Sequence, residues 1–230
     1  MRFLAHWLRR GPDLPAPLRE RLAAWRALPA PPADAPLAQT RVVVADTETS
    51  GLDARADRLL SVGAVCIDGL RIDLASGFET VLRQTQVSTR ANIVIHGIGE
   101  AAQRDGEDPA AALMRFLEFC GHAPLVAYHA PFDEAFVRRA LATHLGAALR
   151  APWLDLAVLL PALFEAPPRQ PLDFWLERFD IPVPVRHSAL GDALATAQLA
   201  LVALARARAQ RVASIAALAR LAAGARWLSG

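Results

Sequence analysis

The residues with the clearest chemical potential lie in Val42-Val43-Val44-Ala45-Asp46-Thr47-Glu48-Thr49-Ser50-Gly51-Leu52. A β-branched apolar run ends in two acids separated by one residue. If the run is a buried strand, alternation places Asp46 and Glu48 on one face. Neighbouring carboxylates repel unless a cation lies between them, so the pair suggests a divalent metal site. The hydroxyls and Gly51 that follow suit a turn brought close to a ligand. Taken alone, the pair is ambiguous, because a strand ending in solvated acids would read the same way.

Three further residues sharpen this reading. Asp133 falls in the first turn of an expected helix directly after an expected strand. His187 and Asp192 stand five positions apart around the start of the last long helix. Strand ends and helix starts are where sites assemble in open α/β sheets. Hard divalent cations take oxygen ligands, which Asp46, Glu48, Asp133 and Asp192 supply. Asp155 also ends an expected strand, but it matches no ligand position and is assigned a structural role.

The elements that must position these groups follow from pattern. Strands are expected over about 41–47, 58–67, 70–74 and 77–82, with Asp68-Gly69 as a hairpin signal. Asp108-Pro109 opens a helix through about Phe119. Leu125–Tyr128 and Trp153–Leu156 read as short strands. Helices follow to about Leu145 and Phe164, with a short one from Pro171. A long helix runs from His187 to Arg208, and another covers about 212–222. A meander of strands followed by strands alternating with helices gives an α/β fold with a mixed sheet.

Composition bounds the rest. The 230 residues are 53% hydrophobic, enough to bury a core in one domain with appendages. Cys66 and Cys120 lack metal-ligand spacing and read as buried thiols. Every basic side chain of the Lys/Arg class is arginine. Residues 41–192 carry a net charge of −6, while both ends are basic. An acidic centre is a poor nucleic-acid surface unless metal ions neutralise it. Arg9 and Arg10 interrupt the apolar start, so no signal peptide is read, and no apolar run is expected to span a bilayer. The expectation is a soluble, cytoplasmic protein.

Three segments together resemble the DnaQ-like 3′–5′ exonucleases, in the branch with histidine before its last acid. Asp46-Thr47-Glu48-Thr49-Ser50-Gly51 is similar to the first motif of that family. Tyr128-His129-Ala130-Pro131-Phe132-Asp133 is similar to the second, and Arg186-His187-Ser188-Ala189-Leu190-Gly191-Asp192-Ala193 to the third. His96-Gly97-Ile98 resembles a segment common in proofreading subunits such as the epsilon subunit of bacterial DNA polymerase III. The resemblance covers about residues 40–205. It departs at Ala130, where many members have Asn.

The resemblance implies a ribonuclease H-like mixed β-sheet flanked by helices. It implies two Mg²⁺ or Mn²⁺ ions roughly 3.5–4 Å apart. Asp46 would bridge them, Glu48 and Asp192 would complete the water-activating site, and Asp133 would hold the second ion. His187 would be the general base, since an unperturbed imidazole titrates near pH ~6.5. Thr47, Thr49, Leu52, His96, His129 and Phe132 would contact substrate, with His96 and His129 equally readable as structural histidines. The implied substrate is the 3′ end of single-stranded or frayed DNA, in proofreading or repair. RNA trimming in the manner of RNase T, or a polymerase-associated scaffold role, are the alternatives. The expected division is an N-terminal helical extension with a Pro-rich linker over 1–37, an exonuclease domain over 38–209, and a basic helical tail over 210–230. The terminal segments could bind a polymerase subunit or nucleic acid, or pack back on the domain.

Overall fold

The computed structural model describes residues 11–183 and 188–228. Five strands form one sheet: β1 Val42–Thr49, β2 Leu59–Asp68, β3 Arg71–Val81, β4 Leu125–Ala127 and β5 Trp153–Asp155. Their spatial order is β3-β2-β1-β4-β5. The first three are antiparallel, and β4 and β5 add in parallel to β1. The expected mixed α/β architecture is the observed one. The two strands expected over 70–74 and 77–82 are instead one continuous strand, β3. The interruption is only a register shift opposite Ala64/Cys66. Asp73 Oδ1 accepts from Ala75 N–H, and Ser76 Oγ donates to the Asp73 carbonyl, so the irregularity is stabilised locally without ending the strand.

Helices cover both faces. The chain order is α1 Ala16–Arg26, α2 Arg90–His96, α3 Glu100–Arg104, α4 Pro109–Cys120, α5 Ala130–Leu145, α6 Leu156–Phe164, α7 Leu172–Arg178, α8 Ala189–Ala209 and α9 Ile215–Leu228. Asp108 caps α4 by accepting from Ala110 N–H and Ala111 N–H, with Pro109 in the first position, as its sequence signature requires. Asp155 caps α6 and also accepts from His129 N–H, which fits its structural assignment.

The strands are apolar on both sides because each face has its own core. Val42, Val44, Val65 and Ile67 pack with α6, α7, α8 and α9. Val43, Ala45, Val62 and Ala64 pack with α1, α4 and α5. Both cysteines are buried and free. Among the described residues, α8 is long and apolar enough to cross a membrane, contrary to the reading of the sequence. Half of its apolar window is buried in the domain, because it covers β1 and β2. Outside the three motif segments, α1 buries Leu22 and Trp25 against α4 and donates from Trp25 Nε1 to the Gly121 carbonyl at 3.0 Å. Likewise α9 buries Ile215, Leu218 and Ala222 in the core, against α6 and β5. Both terminal helices are thus packed on the sheet's helical layers.

Candidate active site

The site begins with the alternation of β1. Asp46 and Glu48 continue the face of Val42 and Val44, while Thr47 continues the face of Val43 and Ala45. Across the antiparallel ladder, Asp46 stands opposite Gly63 and Glu48 opposite Ser61. Residues so paired share a face. The start of α8 lies on that face, directly over Gly63. A Cβ on Gly63 would come within 2.1–2.3 Å of the Ala189 and Leu190 backbone. Only glycine lets this helix approach so closely. The Ser188 side chain caps α8 by accepting from Gly191 N–H, and Asp192 sits in the first turn. Asp46, Glu48 and Asp192 consequently each offer an oxygen, all within 4.8 Å of one another.

Asp133 arrives from the opposite layer. It lies in the first turn of α5 and is 4% exposed. Thr47, pointing to that layer, donates from Oγ1 to Asp133 Oδ1 at 2.8 Å. One strand therefore addresses acids on both sides of the sheet: two on its own backbone, Asp192 above, and Asp133 below through Thr47. His129 makes the corner between β4 and α5 in the left-handed conformation, φ 62° and ψ 45°. A non-glycine residue there marks a constrained strand-to-helix turn.

Electrostatics reflects this crowding. Burial pushes the Asp46 carboxyl well above its ordinary range, and the nearby Asp133, Asp192 and Glu48 charges push it further. Glu48 is raised to about 7, first by burial and then by Asp192 and Asp133. Asp133 is raised by burial, against which the Thr47 hydroxyl bond acts to lower it. Without a counter-charge these acids resist simultaneous ionisation. An all-oxygen donor set of this kind fits a hard divalent cation.

The remaining sequence-derived residues divide. Leu52 is 86% exposed at the turn after β1. Thr47 and Thr49 do not offer free hydroxyls: Thr47 binds Asp133, and Thr49 Oγ1 donates to the Gly51 carbonyl at 2.7 Å. His96 is buried, with Nε2 3.0 Å from Ser88 Oγ and Nδ1 accepting from Ile98 N–H. Both ring nitrogens are thus engaged within the fold, as the structural alternative would have them. Burial lowers the His96 pKa. Phe132 is half-buried and packs on Phe136 at 4.8 Å. The His129 side chain is exposed beside Tyr128. Ala130, where the family pattern often has Asn, is buried and makes no polar contact through its side chain. His187 lies outside the described residues.

Two features were not found in the sequence. Gly63 lies in an apolar run with nothing to distinguish it, although a glycine inside a strand pattern does signal close approach. Val94 and Ile95 are 82% and 61% exposed on α2. The Asn92 side chain of α2 donates to the Ser50 carbonyl, which sets this exposed pair beside the Leu52 turn.

Comparison with known proteins agrees with this geometry. The family described as Exonuclease, of the RNase T type, matches residues 43–200. A DNA polymerase III subunit epsilon-like protein of Rhodobacter capsulatus is 36% identical over 169 residues, 72% of this chain and 24% of that protein. A PolC-type DNA polymerase III of Thermotoga maritima is 29% identical over 72% of this chain and 12% of its own length. The chain thus spans about a quarter or less of these relatives. Exonuclease I of E. coli, solved with a dT13 oligonucleotide, superposes with a TM-score of 0.61 at 18% identity, over 75% of this chain and 42% of that one. This last likeness establishes the fold. With the family match spanning most of its length and a relative 36% identical over 72% of it, the chain belongs to the DnaQ-like exonuclease family.

Proposed function

We propose that the protein is a metal-dependent 3′–5′ exonuclease acting on single-stranded or frayed 3′ ends of DNA. The observation that carries this reading is the convergence of Asp46, Glu48 and Asp192 within 4.8 Å. The Thr47–Asp133 bond brings in the fourth carboxylate. These four acids would hold a pair of Mg²⁺ or Mn²⁺ ions. When bound, such a pair supplies an activated water and charge stabilisation on the scissile phosphate.

The chain's own groups do the rest. Asp46, Glu48 and Asp133 must give up the protons that burial and mutual repulsion favour, so productive binding rises with pH toward neutrality. Thr47 fixes the Asp133 rotamer through its hydroxyl. Leu52, exposed at the rim, wedges against the terminal base, with Val94 and Ile95 completing an apolar edge. His187, next in sequence to the Ser188 cap, takes the proton of the attacking water on a ring nitrogen. The resemblance to an epsilon-like protein supports a polymerase as a protein partner.

A 5′-labelled single strand incubated with Mg²⁺ or Mn²⁺ should shorten stepwise from its 3′ end. A matched RNA strand should be cut more slowly. Asp46→Asn and His187→Ala should suppress shortening, the former without loss of fold. Intact DNA in the presence of either metal would overturn the proposal, and preferential RNA cleavage would move it to RNA trimming.

A further inference from the structure

A second feature of the fold concerns the strand beyond its terminal nucleotides. A groove of about 630 Å³ runs between α5, the turn after β1, and the segment joining β3 to α4. Four arginines line it, Arg58, Arg83, Arg104 and Arg139, with two acids, Asp57 and Asp108. This concentration of positive charge lies inside the net-acidic stretch 41–192, so it is local rather than a reflection of composition.

Both acids are already engaged. Asp57 accepts from Ser50 Oγ and Asp53 N–H, bracing the turn. Asp108 caps α4 and pairs with Arg83 at 3.2 Å. Two of the arginines, by contrast, are held by neutral acceptors. Arg139 Nη1 donates to the Ala54 and Asp57 carbonyls, both at 2.8 Å. Arg58 donates to the Gln86 carbonyl at 2.8 Å, and its buried Nε finds no acceptor among the described residues. Such contacts fix a guanidinium in place without cancelling its charge. Arg104 is exposed in the last turn of α3. Rigid, uncompensated arginines suit phosphate oxygens.

The groove is also aligned with the site. Its α5 wall is formed by Phe136, Arg139, Ala140, Thr143 and His144, at helical spacing on the side of α5 that carries Asp133. With a rise of 1.5 Å per residue, Arg139 and His144 stand about 9 and 16 Å along the axis from Asp133. Stacked nucleotides advance roughly 3.4 Å each along a strand. A strand that followed α5 away from the acids would therefore reach the groove after about three to five nucleotides.

We infer that this arginine groove binds the phosphodiester backbone of the single strand a few nucleotides 5′ of the scissile bond. The inference rests on the exonuclease reading and assigns to it a length dependence that the acids alone do not give. Phosphate contacts here are independent of sequence and sensitive to salt, with a slope of about 0.7 per contact on single strands.

The test compares an oligothymidylate of about twelve residues with the p-nitrophenyl ester of thymidine 5′-monophosphate, which is too short to enter the groove. In wild type the long strand should have the higher kcat/KM, with a steep dependence on salt. Arg104→Glu, and separately the double variant Arg83→Ala/Arg104→Ala, should lower the long-to-short ratio of kcat/KM about tenfold. They should also flatten the salt dependence of the long strand by about 0.7–1.4. Arg71→Ala, on the far edge strand, is the control for generic charge loss. An unchanged ratio, or equal losses on both substrates, would overturn the groove. If wild type cleaves neither substrate, the exonuclease reading fails instead. The groove is then judged by fluorescence anisotropy of the labelled oligothymidylate with Ca²⁺. Weaker binding in the two groove variants supports it, and unaltered binding refutes it.

Discussion

Replacing Asp46 by Asn should inactivate the protein and, without metal, make it more stable. The Asp46, Glu48 and Asp192 oxygens lie within 4.8 Å of one another. At that separation each pair of full charges repels by about 3.5 kcal/mol at an effective dielectric of 20, and by about 0.9 kcal/mol in bulk water. These groups are half-buried, and partial protonation relieves part of the repulsion. A net gain of about 2 kcal/mol on removing one charge is expected. For a chain of this size that corresponds to a melting temperature higher by about 4–8 °C. The sign with pH follows from linkage. Folded-state carboxyls raised above their ordinary range hold more protons than the unfolded chain does. Stability is then fully present below the ordinary carboxylate pKa and is lost as pH rises toward about 7 for Glu48. The advantage of Asp46→Asn should therefore be small near pH ~4 and largest near pH ~8. Saturating Mn²⁺ at about 100 times its dissociation constant adds about 2.7 kcal/mol to wild type and less to the variant, reversing the order. Differential scanning calorimetry in EDTA and in Mn²⁺, at both pH values, reads all four states. A variant that melts below wild type in EDTA near pH ~8 would refute the electrostatic argument, as would a wild type indifferent to Mn²⁺.

Gly63→Ala should drive α8 away from β2, because the new Cβ meets backbone rather than a yielding side chain. Destabilisation of about 1–3 kcal/mol and a loss of about 100-fold in kcat are expected, measured by urea unfolding and steady-state kinetics. Thr47→Val removes the hydrogen bond that opposes the upward shift of Asp133. The acid limb of the pH–rate profile should move to higher pH, with activity partly regained in alkaline buffer. Trp25→Ala should cost about 3–5 kcal/mol in unfolding experiments, since Trp25 is 4% exposed between α1 and α4. Arg21→Ala breaks only the exposed pair with Glu118 and should cost less than about 1 kcal/mol.

The sheet and most helices were legible because their signals are local. Asp108-Pro109 states a helix start in two residues, and Val42–Val44 states a strand covered on both faces. The hairpin after Asp68 was legible too, although Leu70 shares the positive φ that Gly69 advertises. What escaped were properties set by distant partners. His96 reads as a polar residue beside a glycine. Only Ser88, itself held by Gln103 of α3, and the Ile98 amide show which partners its buried ring takes. Thr47 reads as a free hydroxyl until α5 supplies Asp133. The long strand β3 read as two because Asp73 and Ser76 carry turn chemistry, while its ladder to β2 is invisible from either strand alone.

Spacing also explains why these acids can be read from sequence although they lie far apart in it. A strand offers two faces at alternate residues, so Asp46-Thr47-Glu48 addresses both helical layers within three positions. The upper layer must come very close to add Asp192, which requires the missing side chain at Gly63. The lower layer need only present one carboxylate to a hydroxyl, which Asp133 does through Thr47. The upper half of the site is thus set by backbone contact and the lower half by one hydrogen bond. For this reason Gly63→Ala should damage fold and catalysis together, whereas Thr47→Val should leave stability nearly intact while moving the pH at which the protein works.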